Sequence, residues 1–381
     1  MASRVPDHAD HGRRVGRRVL LGIALAVATV MVWLASDLGP ILVAPSQDSL
    51  MARTAEWART RGLGDLVTEL EKIDYQLNPP PTGGTPDAGI PQAGSPAANA
   101  KSSGRLAACG SQPMSSPAKT ALANEGVWQT LETVRGQAAI LATFVRPDAR
   151  HTKFLAGITC IDQDLASFVL HPGTQVPGGA GWSQPTTVPQ GQRGRLLATF
   201  NSGFLMADAM GGFWQDGNAV GHLTAGRASM VFLSNGRLDV RAWEGGPVPA
   251  GVTAVRQNLT LLVDNGQVTD AVRNADSGAF GKTLGDTTFV WRSGVGIRAD
   301  GSIVTVHGNA LSVQTLAQLL LDAGAVRAMQ LDINRDWTSY IYYRHSPAFA
   351  PVKLTADQVR PASRYLQAST RDFVAVAARR K

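Results

Sequence analysis

Asp332, Asn334 and Asp336 alternate in the run Asp332-Ile333-Asn334-Arg335-Asp336, directly after an apolar stretch at 326–331. Oxygen ligands at every second position could grip a calcium ion. A calcium loop, however, needs glycine at its sixth position and glutamate at its twelfth, and Trp337 and Tyr343 stand there. An EF-hand is excluded, and a looser divalent-cation site at Asp332, Asn334 and Asp336 is the lesser reading, because carboxylates at strand ends usually accept hydrogen bonds from backbone or arginine. A carboxylate just beyond a strand is also where open α/β sheets place ligand-facing groups, so Asp332 is the first candidate for chemistry. Other familiar signals are missing: there is no phosphate-binding P-loop, no Gly-x-Ser-x-Gly elbow and no His-Glu-x-x-His helix. Gly294-Val295-Gly296-Ile297-Arg298-Ala299 resembles a dinucleotide fingerprint, but Asp300-Gly301 follows where a helix would have to begin. No cofactor is expected.

The elements that must position Asp332 are short strands. Continuous apolar runs at 138–145 and 196–200 are too brief for helices. Asn235-Gly236, Asn265-Gly266 and Asp300-Gly301 each separate or follow apolar segments, and these pairs tolerate the positive φ of tight hairpins. One helix is clear: Ser312 caps a segment carrying Leu316, Leu319, Leu320 and Ala323, and Gly324 supplies the left-handed stop. The strand ending in Asp332 follows at once. The expectation is an α+β, β-rich mixed-sheet domain with few helices at 118–381.

The 381 residues, with 44% hydrophobic and 17% charged side chains, have globular composition, while 40 Gly and 21 Pro argue against a helical bundle. Most of the formal +7 charge belongs to the ends: the first 18 residues hold five Arg against two Asp, and Arg379, Arg380 and Lys381 close the chain. The nearly neutral body indicates no nucleic-acid groove. Residues 19–35 carry no charge, and 17 of them rise roughly 26 Å along a helix, close to a thinned or tilted bilayer core. With Arg13, Arg14, Arg17 and Arg18 just before it, this reads as a single membrane helix at 19–36 behind a cytoplasmic basic tail at 1–18, which places the rest of the chain outside. No small-x-small cleavage site is evident, so an anchor is preferred over a cleaved signal peptide. Residues 47–77 read as an amphipathic helical segment with Leu63, Leu66, Val67, Leu70, Ile73 and Leu77 on one face, whose partner and any oligomeric state the sequence leaves open. Residues 78–117, rich in Pro, Gly, Ala and Ser, read as a linker spacing the domain from the membrane. Cys109 and Cys160 would face an oxidising compartment, and a bridge between them is preferred over two thiols.

Several segments, in order, resemble the phosphodiester glycosidase family: Arg146-Pro147-Asp148, His171-Pro172-Gly173-Thr174, Thr199-Phe200-Asn201-Ser202-Gly203-Phe204, Arg256-Gln257-Asn258, Trp291-Arg292-Ser293-Gly294, and Met329-Gln330-Leu331-Asp332. The resemblance implies hydrolysis of a sugar 1-phosphodiester. Breaking that bond develops positive charge at the anomeric carbon and expels a phosphate monoester, already a good leaving group, so a strong general acid is less necessary. A carboxylate to stabilise the sugar cation or activate water, and a cation to hold the phosphate, are what remain useful. On this reading Asp332 is the carboxylate, Arg292 the cation and Asn201 the group orienting a hydroxyl or phosphate oxygen. His222, Arg227, Asn258 and Asn334 are the substrate-binding candidates.

The chain departs from the family where its pattern reads Leu-Asp-Gly-Gly-Gly-Ser. Here Ile333, Asn334 and Arg335 replace the glycines whose amides could approach a phosphate or sugar closely. The leading expectation is a membrane-anchored extracytoplasmic hydrolase acting on a sugar-phosphate linkage in an envelope glycan or exopolysaccharide. Its alternative is an inactive glycan-binding or structural envelope module of the same fold. A third reading, an ordinary glycosidase, would need a second carboxylate from among Asp208, Asp216, Asp264 and Asp336.

Overall fold

The computed structural model describes residues 8–43, 49–96, 106–118, 120–274, 279–280 and 289–380. The start of the basic tail, residues 97–105 of the expected linker and Lys381 therefore lie outside the described residues. The chain divides into two compact units, residues 1–70 and 71–381.

In the first unit, helix α1 (His8–Val43) contains an apolar stretch, Leu20–Val43, whose 24 residues would extend about 36 Å, long enough to cross a bilayer. Helix α2 (Leu50–Ala58) begins at Ser49, whose side chain accepts a hydrogen bond from the Ala52 amide. It is tied to the end of α1 by polar bonds: Trp57 Nε1 donates to Asp37 Oδ2 at 2.7 Å, Arg61 Nε reaches the same oxygen at 2.8 Å, and Arg53 donates to the Leu42 carbonyl. The expected amphipathic segment is thus two helices. Gly62, at φ +80°, ends regular helix before α3 (Gly64–Leu77), because a left-handed residue cannot continue the ladder.

The second unit is built on antiparallel sheets. The largest runs β1 (Ser95–Pro96), β2 (Gln129–Val134), β3 (Gln137–Val145), β4 (Ala156–Ile161), β15 (Ile303–Leu311), β14 (Val290–Arg298), β16 (Ala325–Gln330), β12 (Leu261–Asp264), β13 (Gln267–Val268). A second sheet orders β10 (Leu238–Ala242), β9 (Ala228–Leu233), β11 (Val252–Gln257), β7 (Phe213–Gln215) and β8 (Asn218–Val220). The third orders β18 (Ala350–Lys353), β17 (Tyr340–Arg344), β6 (Leu196–Asn201), β19 (Phe373–Ala378) and β5 (Ala166–His171). One continuous apolar core, including Phe144, Phe168, Phe200, Phe213, Met230 and Met329, takes side chains from all three. The outer face of the large sheet buries helix α7 (Val313–Asp322) through Leu316, Leu319 and Leu320. The Ser312 hydroxyl caps α7 by accepting from the Thr315 amide, and Gly324 at φ +90° stops it.

All three expected hairpins form. At Asn265-Gly266 both residues have positive φ, whereas at Asn235-Gly236 and Asp300-Gly301 only the glycine does. The latter two are longer turns, closed by Gly236 N–H to the Leu233 carbonyl and Gly301 N–H to the Arg298 carbonyl.

Within the spacer expected at 78–117, the described segment at 83–96 forms a strap on the domain. Gly83 N–H bonds the Arg150 carbonyl, Gln129 bonds both Gly94 N–H and the Pro91 carbonyl, and β1 pairs with β2. Gly94 is required there, since a Cβ would stand 1.9 Å from the Thr130 carbonyl oxygen. The short helix α4 (Leu106–Gly110) follows, with Leu106 fully buried and Cys109 in a disulfide to Cys160 on β4. Closing a loop over a sequence separation of 51 residues stabilises by about 4 kcal/mol in the chain-entropy picture. Proline and glycine gave this segment no periodicity, yet its amides and carbonyls find partners far along the chain.

Candidate active site

The end of β16 and the end of β6 meet at Ser293 on β14. Leu331 N–H bonds the Ser293 carbonyl and Ser293 N–H bonds the Asp332 carbonyl, which continues the β14–β16 pairing one step past the strand. The Ser293 hydroxyl accepts from Asp332 N–H at 3.1 Å and from Asn201 Nδ2 at 2.9 Å. Asn201 Oδ1 in turn accepts from Ser339 N–H at 3.0 Å. Asn201 therefore comes within one side chain of Asp332, and both ends of its amide are engaged, by Ser293 on the first sheet and by Ser339 beside the third.

Asp332 folds its carboxylate onto its own loop. Oδ1 accepts from the amides of Ile333 and Asn334 at 2.7 and 2.9 Å, and Asn334 Oδ1 accepts from Asp336 N–H at 2.9 Å. Asp332 is 4% exposed, and burial raises its pKa to about 6, against the opposing pull of Arg371, the two loop amides and Arg364. One oxygen of Asp332 and the side-chain oxygen of Asn334, both considered for a divalent cation, are thereby engaged by backbone amides. Among the described residues no group of three metal-ligating side chains gathers.

Arg292 does not reach this loop, and the reason is strand parity. On β14 the even positions face α7: a Cβ on Gly294 would meet Leu320 Cδ1 at 2.8 Å. Arg292, two residues earlier, shares that face. It is 1% exposed and donates to the Leu311 carbonyl at 2.8 Å and Gln330 Oε1 at 2.9 Å, whereas Ser293 turns to the Asp332 side.

Asn258, expected to bind substrate, makes contacts within the domain. It is fully buried; its Oδ1 accepts from Phe204 N–H, and its Nδ2 donates to the Gln330 and Leu331 carbonyls, so it clamps the turn after β6 to the end of β16. Arg256 braces the same turn: Nε pairs with Asp372 Oδ2 at 2.6 Å, and Nη2 bonds the Phe204 carbonyl. Gly203 lets that guanidinium close in, since a Cβ would lie 3.1 Å from Arg256 Cζ. His222 is solvent-exposed, Arg227 and Asn334 are half-buried, and Arg335 is exposed. Asp208 and Asp216 lie on exposed surface, Asp264 ends β12 half-buried, and Asp336 shares the Asp332 loop. Ile333 explains how the loop tolerates the loss of glycine: its side chain packs against the buried group of Phe204, Ala209 and Leu259.

The residues that sequence reasoning missed lie beyond β17. The guanidinium carbons of Arg360, Arg364 and Arg371 stand 4.6, 5.0 and 4.4 Å from the ring centroid of Trp337, five residues after Asp332. Arg371 and Arg364 are the cations whose charge acts on Asp332. Arg371 is placed by the His171-Pro172-Gly173-Thr174 segment: Gln175 and Val176 N–H bond the Thr370 carbonyl, and a Cβ on Gly173 would lie 2.5 Å from the Thr370 and Arg371 backbone. The spacing of Arg360 and Arg364 in an otherwise neutral body was the available signal.

Residues 193–332 match the family model of phosphodiester glycosidases. The match spans Asn201, Asn258, Arg292 and Asp332 and ends before Trp337 and the three arginines. No curated protein matches the chain significantly. Among solved structures, the catalytic domain of zebrafish N-acetylglucosamine-1-phosphodiester alpha-N-acetylglucosaminidase, described as auto-inhibited by its pro-peptide, is 15% identical, with a TM-score of 0.41 over 66% of this chain and 88% of that one. A hypothetical protein from Synechocystis is 15% identical, with a TM-score of 0.36 over 65% and 64%. A putative exported protein from Burkholderia pseudomallei is 12% identical, with a TM-score of 0.26 over 59% and 74%. The family-model match over residues 193–332 supports a hydrolase of glycosidase type.

Proposed function

We propose that the protein is a membrane-anchored, extracytoplasmic hydrolase that cleaves a sugar 1-phosphodiester linkage in an envelope glycan or exopolysaccharide, with Asp332 as its catalytic carboxylate. The observation that carries this reading is the state of Asp332: a buried carboxylate, raised to about 6, held at a sheet junction by two backbone amides and bordered by arginines. Such a group is ionised at neutral pH yet exchanges a proton close to it, which suits stabilising a developing sugar cation or activating water. The departing phosphate needs little protonation. Ser293, Asn201 and Asn258 contribute by fixing the loop, since a carboxylate acting on an anomeric carbon must be held within a fraction of an ångström. An apolar helix long enough to span a bilayer, preceded in the sequence by clustered arginines, supports anchoring with the domain outside, and the Cys109–Cys160 disulfide fits an oxidising compartment.

A second reading, a glycan-binding module without catalysis, is favoured by one observation. The amides of Ile333 and Asn334, at positions where the family's glycines would leave amides open to a ligand, are bonded to Asp332 itself. Incubating the full-length protein in detergent with N-acetylglucosamine 1-phosphate esters and envelope glycans separates the two. Release of free sugar and a phosphate monoester, abolished in Asp332→Asn, is the expected result; glycan retention without product would establish the module instead.

A further inference from the structure

Removing Arg292 from the site leaves the phosphate without its expected cation, and three other guanidinium groups stand nearby. Arg360 Nε donates to the Asp336 carbonyl at 3.0 Å, and Arg364 Nη1 donates to the carbonyls of Asp336 and Trp337 at 3.2 and 3.3 Å. Arg371 faces the same indole, and all three arginines are at least nine-tenths buried. Like charges crowded around one ring repel strongly where water is scarce. The indole face, Asp336 at 3.9 Å from Arg360, and Asp332 offset part of that repulsion. Arg364 Nη2 remains buried with no hydrogen-bond partner, a donor that a native interior seldom leaves unsatisfied. A group with several anionic oxygens would answer that open donor among the three guanidiniums, and guanidinium forks match phosphate geometry.

We infer that Arg360, Arg364 and Arg371, assembled on Trp337, form the phosphate seat beside Asp332. The inference rests on the hydrolase reading of the Asp332 loop and extends it: the seat lies outside the residues that match the family model, on the loop where the glycines are lost. The amides of Ile333 and Asn334, at positions where the family has glycine, are turned onto Asp332, and charged side chains delivered from the C-terminal segment take over phosphate recognition. The ligand class is a phosphate ester whose sugar carbon points at Asp332.

The test is calorimetric titration of the full-length protein in detergent with inorganic phosphate, repeated with free N-acetylglucosamine. Saturable phosphate binding that the free sugar does not displace is expected. Arg364→Gln should weaken it about ten- to a hundredfold, the effect of one lost charge-assisted contact, and Arg364→Lys should weaken it less because the charge survives. Asp332→Asn should bind phosphate at least as tightly as the parent, since a neighbouring negative charge is gone. Absence of saturable phosphate binding in the parent, or unchanged affinity in folded Arg364→Lys and Arg364→Gln, overturns the seat. Should Arg364→Gln fail to fold, the parent titration and Arg364→Lys decide alone. The two readings fail separately: phosphate binding with an Asp332→Asn enzyme of full activity keeps the seat and removes the catalytic carboxylate, whereas an inactive Asp332→Asn without phosphate binding in the parent does the reverse.

Discussion

Asp332 and Asp372 are both buried carboxylates beside arginines, and they are built in opposite ways. Asp372 meets Arg256 directly, Nε to Oδ2 at 2.6 Å, with both side chains fully buried. Asp332 receives backbone amides on one oxygen and feels the charges of Arg371 and Arg364. A contact pair settles its own charge and does nothing else, which is how Arg256 can brace the turn carrying Asn201 to Phe204. A carboxylate on which arginine charge and burial act in opposite directions keeps its proton equilibrium near neutrality. Chemistry belongs to the second arrangement and architecture to the first.

The largest effect should come from breaking the closed pair. Asp372→Asn leaves the buried Arg256 guanidinium without its counter-charge and should cost about 3–5 kcal/mol of folding stability, read as the shift of a denaturant midpoint. A cost below about 1 kcal/mol would show that Arg256 finds other support and would erase the contrast. Asp332→Asn should behave conversely. Turnover should fall about 10²- to 10⁴-fold, while stability holds or improves, because the carboxylate charge it removes is buried against a pKa preference worth on the order of 3 kcal/mol at neutral pH. Loss of stability equal to that of Asp372→Asn would place Asp332 among the structural groups.

Ile333→Ala probes the loop from the apolar side. Half-buried against Phe204, Ala209 and Leu259, its side chain should be worth about 1–2 kcal/mol to stability, less than a fully buried isoleucine. If the apolar plug replaces the glycine turn as a support for Asp332, kcat should drop several-fold with KM little changed. Equal changes in both would assign Ile333 to substrate contact.

How far these arrangements could be read from the chain depends on how local their causes are. The Asn-Gly and Asp-Gly hairpins, the Ser312 cap and the Gly324 stop were legible because each is decided within a few residues. The strand leading to Asp332 was legible because an apolar run ending in a carboxylate announces itself. Arg292 was misread because its face depends on β14's parity against α7, which only the packed sheet reveals; Gly294, too crowded by Leu320 for a Cβ, records that parity. The strap at Gly83–Pro96 escaped because its partners, Gln129 and Arg150, are distant and its own pattern is silent. Arg360, Arg364 and Arg371 were hidden by averaging: a neutral total charge is compatible with three guanidiniums around one tryptophan.

The pH dependence distinguishes the two carboxylates most finely. A catalytic Asp332 must be ionised, so kcat/KM should hold above about pH 6 and fall tenfold per unit below it, with a single proton controlling the acid limb. Stability should move the other way over the same window. The folded-state pKa of Asp332 is raised above its ordinary value of 3.8, so between that value and about 6 the native protein binds a proton that the unfolded chain does not. That contribution to stability grows as pH falls through 6 and is lost as pH rises through it. Acidification should therefore inactivate the enzyme before it loosens the Asp332 loop, and Asp332→Asn should flatten the stability term while the Arg256–Asp372 pair stays in place. An acid limb that coincides with unfolding, and that Asp332→Asn leaves unchanged, would assign it to the architecture instead of to the catalytic carboxylate.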